Sequence, residues 1–284
     1  MIQHLTYATA LIGSLTVGPL TIGAVTIGSV TAAAASGDPF ETPVKAVLID
    51  GWQQPDGTRM TAVQLTLAEG WKTYWRAPGD AGIPPLFDWS GSRNLAGVAI
   101  DWPAPIVFME NGMRSIGYAD QVTLPLSVAA RRADQPVQIA LSLEVGVCKD
   151  ICVPQTLKIS GILDATGTTP APVIAAALAQ RPYSAREAGA GQTTCAIRPI
   201  DGGLQITASL TLPDTGSPEH VVIEAGRPDV WVSEPLSTRS GNTLTAQADL
   251  LASGAGPLAL DRSAIRFTVL GTSHAVDLRG CTPG

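Results

Sequence analysis

Alternating apolar residues in many short segments constrain the fold of this chain most strongly. From 139 to 147 every odd position is apolar, and the positions between them carry Ala, Ser, Glu or Gly. The same period of two recurs between Leu204 and Leu212. Successive side chains of a β-strand point to opposite faces, so this pattern predicts strands that are buried on one face. The chain is therefore predicted to be all-β, with further strands near 63–67, 71–76, 122–129, 156–163, 220–225, 243–250 and 264–270.

Composition divides these predicted strands into two groups. Residues 168–172 are Thr, Pro and Ala only, residues 173–180 form an Ala-rich stretch typical of a short helix, and Arg181-Pro182 ends it. We therefore predict a β-domain at 37–166, a linker with a short helix at 167–192, and a second β-domain at 193–284. About seven short strands per domain is the number expected of an immunoglobulin-like sandwich. The predicted architecture is two immunoglobulin-like β-sandwich domains joined by a short linker helix.

The first 36 residues differ from the rest of the chain. They contain no Lys, Arg, Asp or Glu, and the apolar run ends in the small residues Ala32–Ser36. This pattern favours an export signal at 1–36 that is cleaved near Ala35, with an uncleaved N-terminal anchor as the alternative. Either interpretation places the folded part outside the cytoplasm. No later segment has about 18 uninterrupted apolar residues, so no membrane span is expected after signal removal.

Charge and histidine content exclude several function classes. The formal net charge of -6 argues against a nucleic-acid partner, which normally requires a basic face. The three histidines lie far in sequence from the closely spaced cysteines, so a zinc site is not favoured. No nicotinamide or flavin fingerprint is present, and we expect no cofactor and no resident metal.

Two of the four cysteines have the spacing of a structural bond. Cys195 opens the first strand of the second predicted domain, and Cys281 lies close to the end of the sequence. A disulfide between them would join the two ends of that domain. In the chain-entropy model so long a loop contributes about 4–5 kcal/mol to stability, which favours a structural bond. The alternatives are a second redox pair or free thiols.

Cys148 and Cys152 require a different geometry. In a straight strand their Cα atoms would lie about 13 Å apart, whereas a disulfide needs them within about 7 Å. Lys149–Ile151 must therefore turn, which puts the pair at a tight hairpin. A bond across so short a loop adds little stability and lies near solvent, as an exchangeable disulfide does. The alternatives are a purely structural bond, or a Cu(I) site formed by both thiolates with Met109 or Met113.

The segment Val147–Pro154 (VCKDICVP) resembles the active-site hairpin of the DsbD/ScsB amino-terminal periplasmic domain family. The resemblance covers about residues 44 to 165, and its other blocks are Gly70–Arg76, Pro78–Pro85, Gly117-Tyr118 and Val122–Leu126. It implies a periplasmic thiol–disulfide oxidoreductase with Cys148 and Cys152 as catalytic residues and Cys152 as the attacking thiol. The short spacing of the cysteines points to the ScsB-like branch.

The resemblance also implies partners and site-lining residues. Family members continue into a transmembrane and a thioredoxin-like domain, whereas the sequence here ends at Gly284. We therefore expect a separate thioredoxin-like or membrane electron-transfer protein, together with oxidised substrate proteins. The family's cap loop corresponds to 108–113, where Met109, Asn111 and Met113 replace the aromatic cap residue and Phe108 is the neighbouring aromatic candidate.

Two side-chain assignments stay open at this point. Tyr74 lies on the family's aromatic strand near the cysteines, where it serves either the core or the site. Glu110 and Arg114 could form a solvated surface pair. The leading hypothesis is periplasmic thiol–disulfide exchange through Cys148 and Cys152, and the alternative is a copper-binding or non-catalytic structural envelope module.

Overall fold

The computed structural model describes residues 42–80, 82–110, 112–165, 167, 170–254 and 258–284. The predicted export signal at 1–36 and the cap residue Asn111 lie outside the described residues. The described chain from Thr42 to Gly284 forms one compact unit. It consists of strands and a single described helix, which confirms the all-β prediction.

The first group of strands forms two antiparallel sheets. One has the order β1-β2-β8-β5, and the other has the order β10-β9-β3-β7-β6 with β4 also paired to β9. The strands are β1 (Val44–Ile49), β2 (Arg59–Leu67), β3 (Lys72–Tyr74), β4 (Leu86–Asp88), β5 (Leu95–Ile100), β6 (Ile106–Glu110), β7 (Met113–Ala119), β8 (Gln121–Ala130), β9 (Val137–Cys148) and β10 (Cys152–Leu163).

The core of the first group lies between its two sheets. The alternating residues of β9 are buried, as the sequence predicts, with Leu143 and Val147 fully inaccessible to solvent. They pack against apolar residues of β2 and β8 from the opposite sheet, such as Val63 and Leu126. Burial of one face from each sheet is the arrangement of a β-sandwich.

The second group of strands also forms two sheets. Their orders are β11-β19-β18-β14 and β15-β17-β13-β12-β20, with β16 also paired to β17. The strands are β11 (Tyr183–Ser184), β12 (Thr193–Ile200), β13 (Gly203–Thr211), β14 (His220–Glu224), β15 (Val230–Val232), β16 (Leu236–Ser240), β17 (Thr243–Ala252), β18 (Arg266–Leu270), β19 (Ala275–Arg279) and β20 (Thr282–Pro283). Ile206, Leu250 and Phe267 are fully buried in the core that these sheets share.

The segment predicted as a linker is divided between the two groups. The helix α1 (Pro172–Ala179) buries Ile174 against Met60 and Ala62 of β2. The peptide nitrogen of Ala104 donates to the carbonyl of Gln180 at its end. Strand β11, which follows, pairs in parallel with β19 of the second group. The helix is therefore packed on the first group of strands, and the segment after it is part of a second-group sheet.

The two groups of strands also contact each other. Val222, Leu270 and Ala275 belong to the same apolar cluster as the core of the first group. Arg76, which follows β3, forms a bidentate pair with Glu224 at 3.0 and 3.1 Å. No described strand belongs to sheets of both groups. We propose that each group is one immunoglobulin-like domain and that this interface holds the pair together.

None of the described residues forms a helix of the length and apolar character that crossing a bilayer requires.

Candidate functional site

The long hairpin of β9 and β10 carries the closely spaced cysteines. Cys148 is the last residue of β9, Cys152 is the first residue of β10, and the two are direct cross-strand partners. The peptide nitrogen of Lys149 donates to the carbonyl of Ile151 across the turn. Cys148 and Cys152 therefore occupy the adjacent non-hydrogen-bonded position, where cross-strand Cα atoms approach most closely. Their Cα atoms are 4.1 Å apart and their sulfurs form a disulfide.

The two sulfur-bearing residues differ in burial. Cys148 is 1% exposed, because it continues the buried face of β9. Cys152 is exposed, and so is Ile151 beside it in the turn. An incoming thiol or disulfide can therefore reach Cys152, while Cys148 lies behind it. The sequence predicted accessibility of at least one sulfur, and the hairpin exposes the second cysteine.

Tyr74 lies directly beneath the disulfide. Its hydroxyl is 2.8 Å from Sγ of Cys148 and 3.3 Å from Sγ of Cys152. The side chain is 2% exposed, so this hydroxyl contacts the sulfurs in a setting that excludes most water. The Tyr74 ring is buried, as a core residue would be, and its hydroxyl reaches the sulfurs, as a site-lining residue would. The two interpretations of Tyr74 therefore do not exclude each other.

Close backbone packing holds Tyr74 in this position. A Cβ atom at Gly117 of β7 would lie 1.9 Å from the carbonyl oxygen of Thr73, so only glycine lets β7 pair with β3 here. A Cβ atom at Gly146 of β9 would lie 2.8 Å from Ile83 and 3.2 Å from the Tyr74 ring. Thr73 adds a buried hydrogen bond from its hydroxyl to the carbonyl of Gly146, at 2.9 Å. These contacts depend on residues distant in sequence, and strand periodicity gives no sign of them.

The predicted cap segment is the end of the β6–β7 hairpin. The Phe108 ring stacks on the Tyr74 ring with centroids 6.4 Å apart. The ammonium group of Lys72 lies 5.2 Å from the centroid of Phe108 on its ring face. Met109 and Met113 are 64% and 49% exposed. Among the candidate cap residues that the structure describes, Phe108 contacts the site through Tyr74, whereas the two methionines are largely in solvent.

The lysine of the turn is engaged away from the sulfurs. The Lys149 ammonium donates to the Glu69 carbonyl at 3.2 Å, and its side chain lies against Gly70. No described group of three or more His, Cys, Asp or Glu side chains is arranged to hold a metal ion.

Arg114 pairs with residues of the second group of strands, whereas the side chain of Glu110, its partner in the surface pair that the sequence left open, lies outside the part of the chain that the structure describes. The Nε atom of Arg114 is 3.1 Å from the carboxylate of Glu234, and its side chain is only 10% exposed. Its Nη1 atom lies 3.2 Å from Nδ1 of His220. Burial lowers the pKa of His220, and the positive charge of Arg114 lowers it further. Arg114 therefore joins the two groups of strands.

The other cysteines lie at the ends of the second group of strands. Cys195 of β12 and Cys281, just before β20, form a disulfide. Cys195 is 1% exposed, and the guanidinium of Arg262 lies 2.9 Å from its sulfur. A bond with one buried and one half-buried cysteine, across a sequence separation of 86 residues, fits the structural role that the sequence predicts.

The sequence of the first group of strands matches a known family. Residues 42–163 match the family described as thiol:disulfide interchange protein DsbD, N-terminal. This part of the chain is similar to the DsbD/ScsB N-terminal domain family. The match includes Cys148, Cys152 and Tyr74, so the hairpin site lies wholly inside the matched region.

The fold is similar to that of a solved structure, the N-terminal periplasmic domain of ScsB from Proteus mirabilis. The TM-score is 0.61 and the sequence identity is 22%, with 85% of this chain and 92% of that chain covered. At this identity the likeness concerns the fold, and it extends beyond the DsbD-like part into the second group of strands. No curated protein matches the sequence.

Proposed function

We propose that this protein is a periplasmic thiol–disulfide oxidoreductase that exchanges electrons with other proteins through Cys148 and Cys152. One observation carries the proposal. A disulfide at a hairpin end has one exposed sulfur, one buried sulfur and a buried hydroxyl within hydrogen-bonding distance of both. Similarity to the DsbD N-terminal family supports thiol–disulfide exchange in general. The periplasmic setting of the similar ScsB domain supports the location.

The burial of the two cysteines suggests the order of the chemical steps. In the reduced protein the thiolate of Cys152 attacks one sulfur of a substrate disulfide, and the other substrate sulfur leaves as a thiolate. The thiolate of Cys148 then attacks Sγ of Cys152 and releases the first substrate sulfur. Two protons pass from the protein thiols to the substrate, and two electrons move with the bonds. The Cys148–Cys152 bond is re-formed.

Tyr74 supports both steps through its hydroxyl. A thiolate is a better hydrogen-bond acceptor than a thiol, so an O–H donor beside it favours the ionised form. The same hydroxyl reaches Cys152 when that sulfur attacks and Cys148 when that sulfur resolves the mixed disulfide. We infer a positioning and thiolate-stabilising role for Tyr74, with Phe108 packed against it as a cap.

The electron donor in this proposal is a thioredoxin-like or membrane electron-transfer protein, and the acceptors are oxidised substrate proteins. One pair of thiols supplies two electrons and must then be reduced again. Such encounters bury small interfaces and are transient. The exposed sulfur at the end of a narrow hairpin suits a contact of that kind.

Trapping with single-cysteine variants tests this function. Cys148→Ala keeps the exposed attacking thiol and removes the resolving one, so it should accumulate a mixed disulfide with an envelope thioredoxin-like protein. Cys152→Ala should trap far less, because its remaining thiol is buried. The wild-type protein is the control, because it keeps the resolving thiol, and it should turn over without trapping.

Two outcomes would contradict the proposal. Equal trapping by both single variants would remove Cys152 as the nucleophile. No trapping by either variant, with a reduced pair that binds Cu(I) tightly through both thiols, would favour the copper-binding alternative.

A further inference from the structure

A cleft of about 740 Å³ lies between the two groups of strands. One wall comes from the segment between β3 and β4 and from Leu86 of β4, and the other comes from β15 and the residues before and after it. Leu86 and Trp231 are 60% and 47% exposed. The volume lies in the range of about 300–1,000 Å³ that is typical of binding sites in proteins.

Two open sheet edges border this cleft. Strand β15 pairs with β17 on one side, and no described strand pairs with its other side. Strand β4 pairs with β9 and likewise has no second partner among the described strands. Open edges present backbone groups that can bind an extended polypeptide as an additional strand.

The register of β15 identifies the backbone groups on its open side. The peptide N–H of Ser233 donates to the carbonyl of Asp249, and the peptide N–H of Ser253 donates to the carbonyl of Asp229. These two cross-strand pairs are therefore hydrogen-bonded pairs. Hydrogen-bonded and non-bonded pairs alternate along antiparallel strands, and Trp231 therefore bonds to β17 as well. The N–H and C=O of Val232 accordingly point away from β17, toward the open side.

Most of the charged side chains that line the cleft are paired with one another. Arg76 is paired with Glu224 and Arg114 with Glu234, each at about 3 Å. Arg227 is likewise paired with Asp229, at 2.6 Å. A charged ligand would have to compete with these ion pairs. An uncharged, extended and partly apolar segment would use only the open backbone groups and the exposed apolar side chains.

The wall of the cleft is continuous with the redox site. Gly82 lines the cleft, and a Cβ atom there would lie 2.8 Å from the ring of Tyr74. Ile83, the next residue, packs against Gly146 beside the same ring. The backbone at Gly82 and Ile83 and the Tyr74 ring thus lie between the cleft and the sulfurs. A polypeptide held in the cleft would lie next to the site at which its disulfide reacts.

We propose that this cleft binds an extended apolar segment of the polypeptide whose disulfide is exchanged. The bound segment adds a strand to the edge of β15 through Val232 and places apolar side chains against Trp231 and Leu86. This inference rests on the proposed exchange function and names where its protein substrates are held.

Two peptides and one small disulfide test the proposal with the full chain in its reduced form. Each peptide carries one internal disulfide, flanked either by Val and Leu or by Ser and Asn residues, and the small probe is 2-hydroxyethyl disulfide. Trp231→Ser and Val232→Pro should each lower the rate with the apolar peptide about tenfold, since each removes one main contact. Proline is tolerated at an edge position whose N–H faces outward, so the second variant should fold.

The control variant is Val47→Ser. Val47 is 52% exposed on the edge strand β1 and does not line the cleft, so this variant should behave as the wild type with all three probes. The rate with 2-hydroxyethyl disulfide should be the same in every variant. A preference of the wild type for the apolar over the polar peptide is expected as well.

The possible results separate the two proposals. If the small disulfide reacts normally and both cleft variants reduce the apolar peptide at the wild-type rate, the cleft assignment is wrong and the exchange function stands. If no disulfide reacts with the wild type, the exchange function fails. The cleft is then tested by calorimetry with the apolar peptide carrying Ser in place of Cys. Absence of binding would overturn the inference, and binding weakened about tenfold by Trp231→Ser would support it.

Discussion

At the level of single residues, the buried hydroxyl of Tyr74 contacts both sulfurs of the Cys148–Cys152 bond. In the reduced protein, Tyr74→Phe removes a donor to the thiolate, and a hydrogen bond to a charged group contributes about 1.5–3 kcal/mol. We predict that the pKa of the more acidic thiol rises by about one unit, since 1.36 kcal/mol corresponds to one unit. Thiolate ultraviolet absorbance as a function of pH measures this change.

Tyr118→Phe is the matched control for that measurement. The Tyr118 hydroxyl is also buried, but it donates to the carbonyl of Pro103 at 2.8 Å. The variant should lower stability without moving the thiol pKa. An equal shift in both variants would mean that the effect comes from looser packing of the core.

Through His220, we expect the stability of the interface between the two groups of strands to depend on pH. Burial and then the charge of Arg114 lower its pKa in the folded protein, while the carboxylate of Glu234 acts in the opposite direction. Protonation is therefore easier in the unfolded chain. The contribution of neutral His220 to stability is retained above the unfolded pKa of about 6.5, and it is lost as the pH falls toward the folded pKa.

We predict that the wild type loses more stability than His220→Asn between about pH 7 and about pH 5. Denaturant unfolding at several pH values measures the difference. His274→Asn is the control, because His274 packs on the Tyr183 ring, with centroids 5.3 Å apart, and lies apart from the Arg114 pair. Identical pH profiles for wild type and His220→Asn would contradict the prediction.

At the level of elements, the β6–β7 hairpin places Phe108 against the ring of Tyr74, whose hydroxyl contacts the Cys148–Cys152 disulfide. If Phe108 acts as a cap, Phe108→Ser should raise the alkylation rate of the reduced cysteines several-fold, because solvent and reagent reach the sulfurs more easily. Met109→Ser changes the neighbouring, 64% exposed residue and should leave the rate as it is. Equal rates in wild type and Phe108→Ser would show that the pair is already open.

The elements also show which features of the structure could be predicted from the sequence. The β9–β10 hairpin could be predicted, because strand spacing and disulfide reach together leave only a turn at Lys149–Ile151. Family resemblance places Tyr74 near the cysteines, whereas local periodicity does not link it to a cysteine 74 positions away. The cap segment was expected as a loop, but cross-strand pairing of Met109 with Arg114 makes it a hairpin. Cross-strand pairing of this kind depends on the partner strand, so the alternation of residues within one short strand does not predict it.

At the level of the whole molecule, no pattern in the sequence links Arg76 to Glu224. The two residues are 148 positions apart, and their pairing joins the two groups of strands. Arg76 also lies over the Trp75 ring, at 3.8 Å from its centroid. Its side chain is 12% exposed, so its charge is largely removed from water and depends on this partner.

Glu224→Gln should therefore lower the free energy of unfolding by about 2 kcal/mol, because it leaves a largely buried guanidinium without its counter-charge. Urea denaturation measures the loss. Asp229→Asn, which breaks the exposed pair with Arg227, is the control and should change stability little. A loss of stability no larger than that of the control would show that the pair contributes nothing to the interface.

The in-register ladder of β9 and β10 has a thermodynamic consequence for partner choice. Cys148 and Cys152 face each other at the last rung of a ladder that also pairs Val147 with Val153 and continues to Val137 and Leu163. Backbone pairing holds the two cysteines opposite each other, so we expect the hairpin to keep its shape when the sulfur bond opens. A partner that recognises only this shape binds the oxidised and reduced forms with equal affinity. Because equal affinity for two states shifts no equilibrium between them, such binding favours neither form. In the proposed exchange, the direction of electron flow is then set by the reduction potentials of the two proteins.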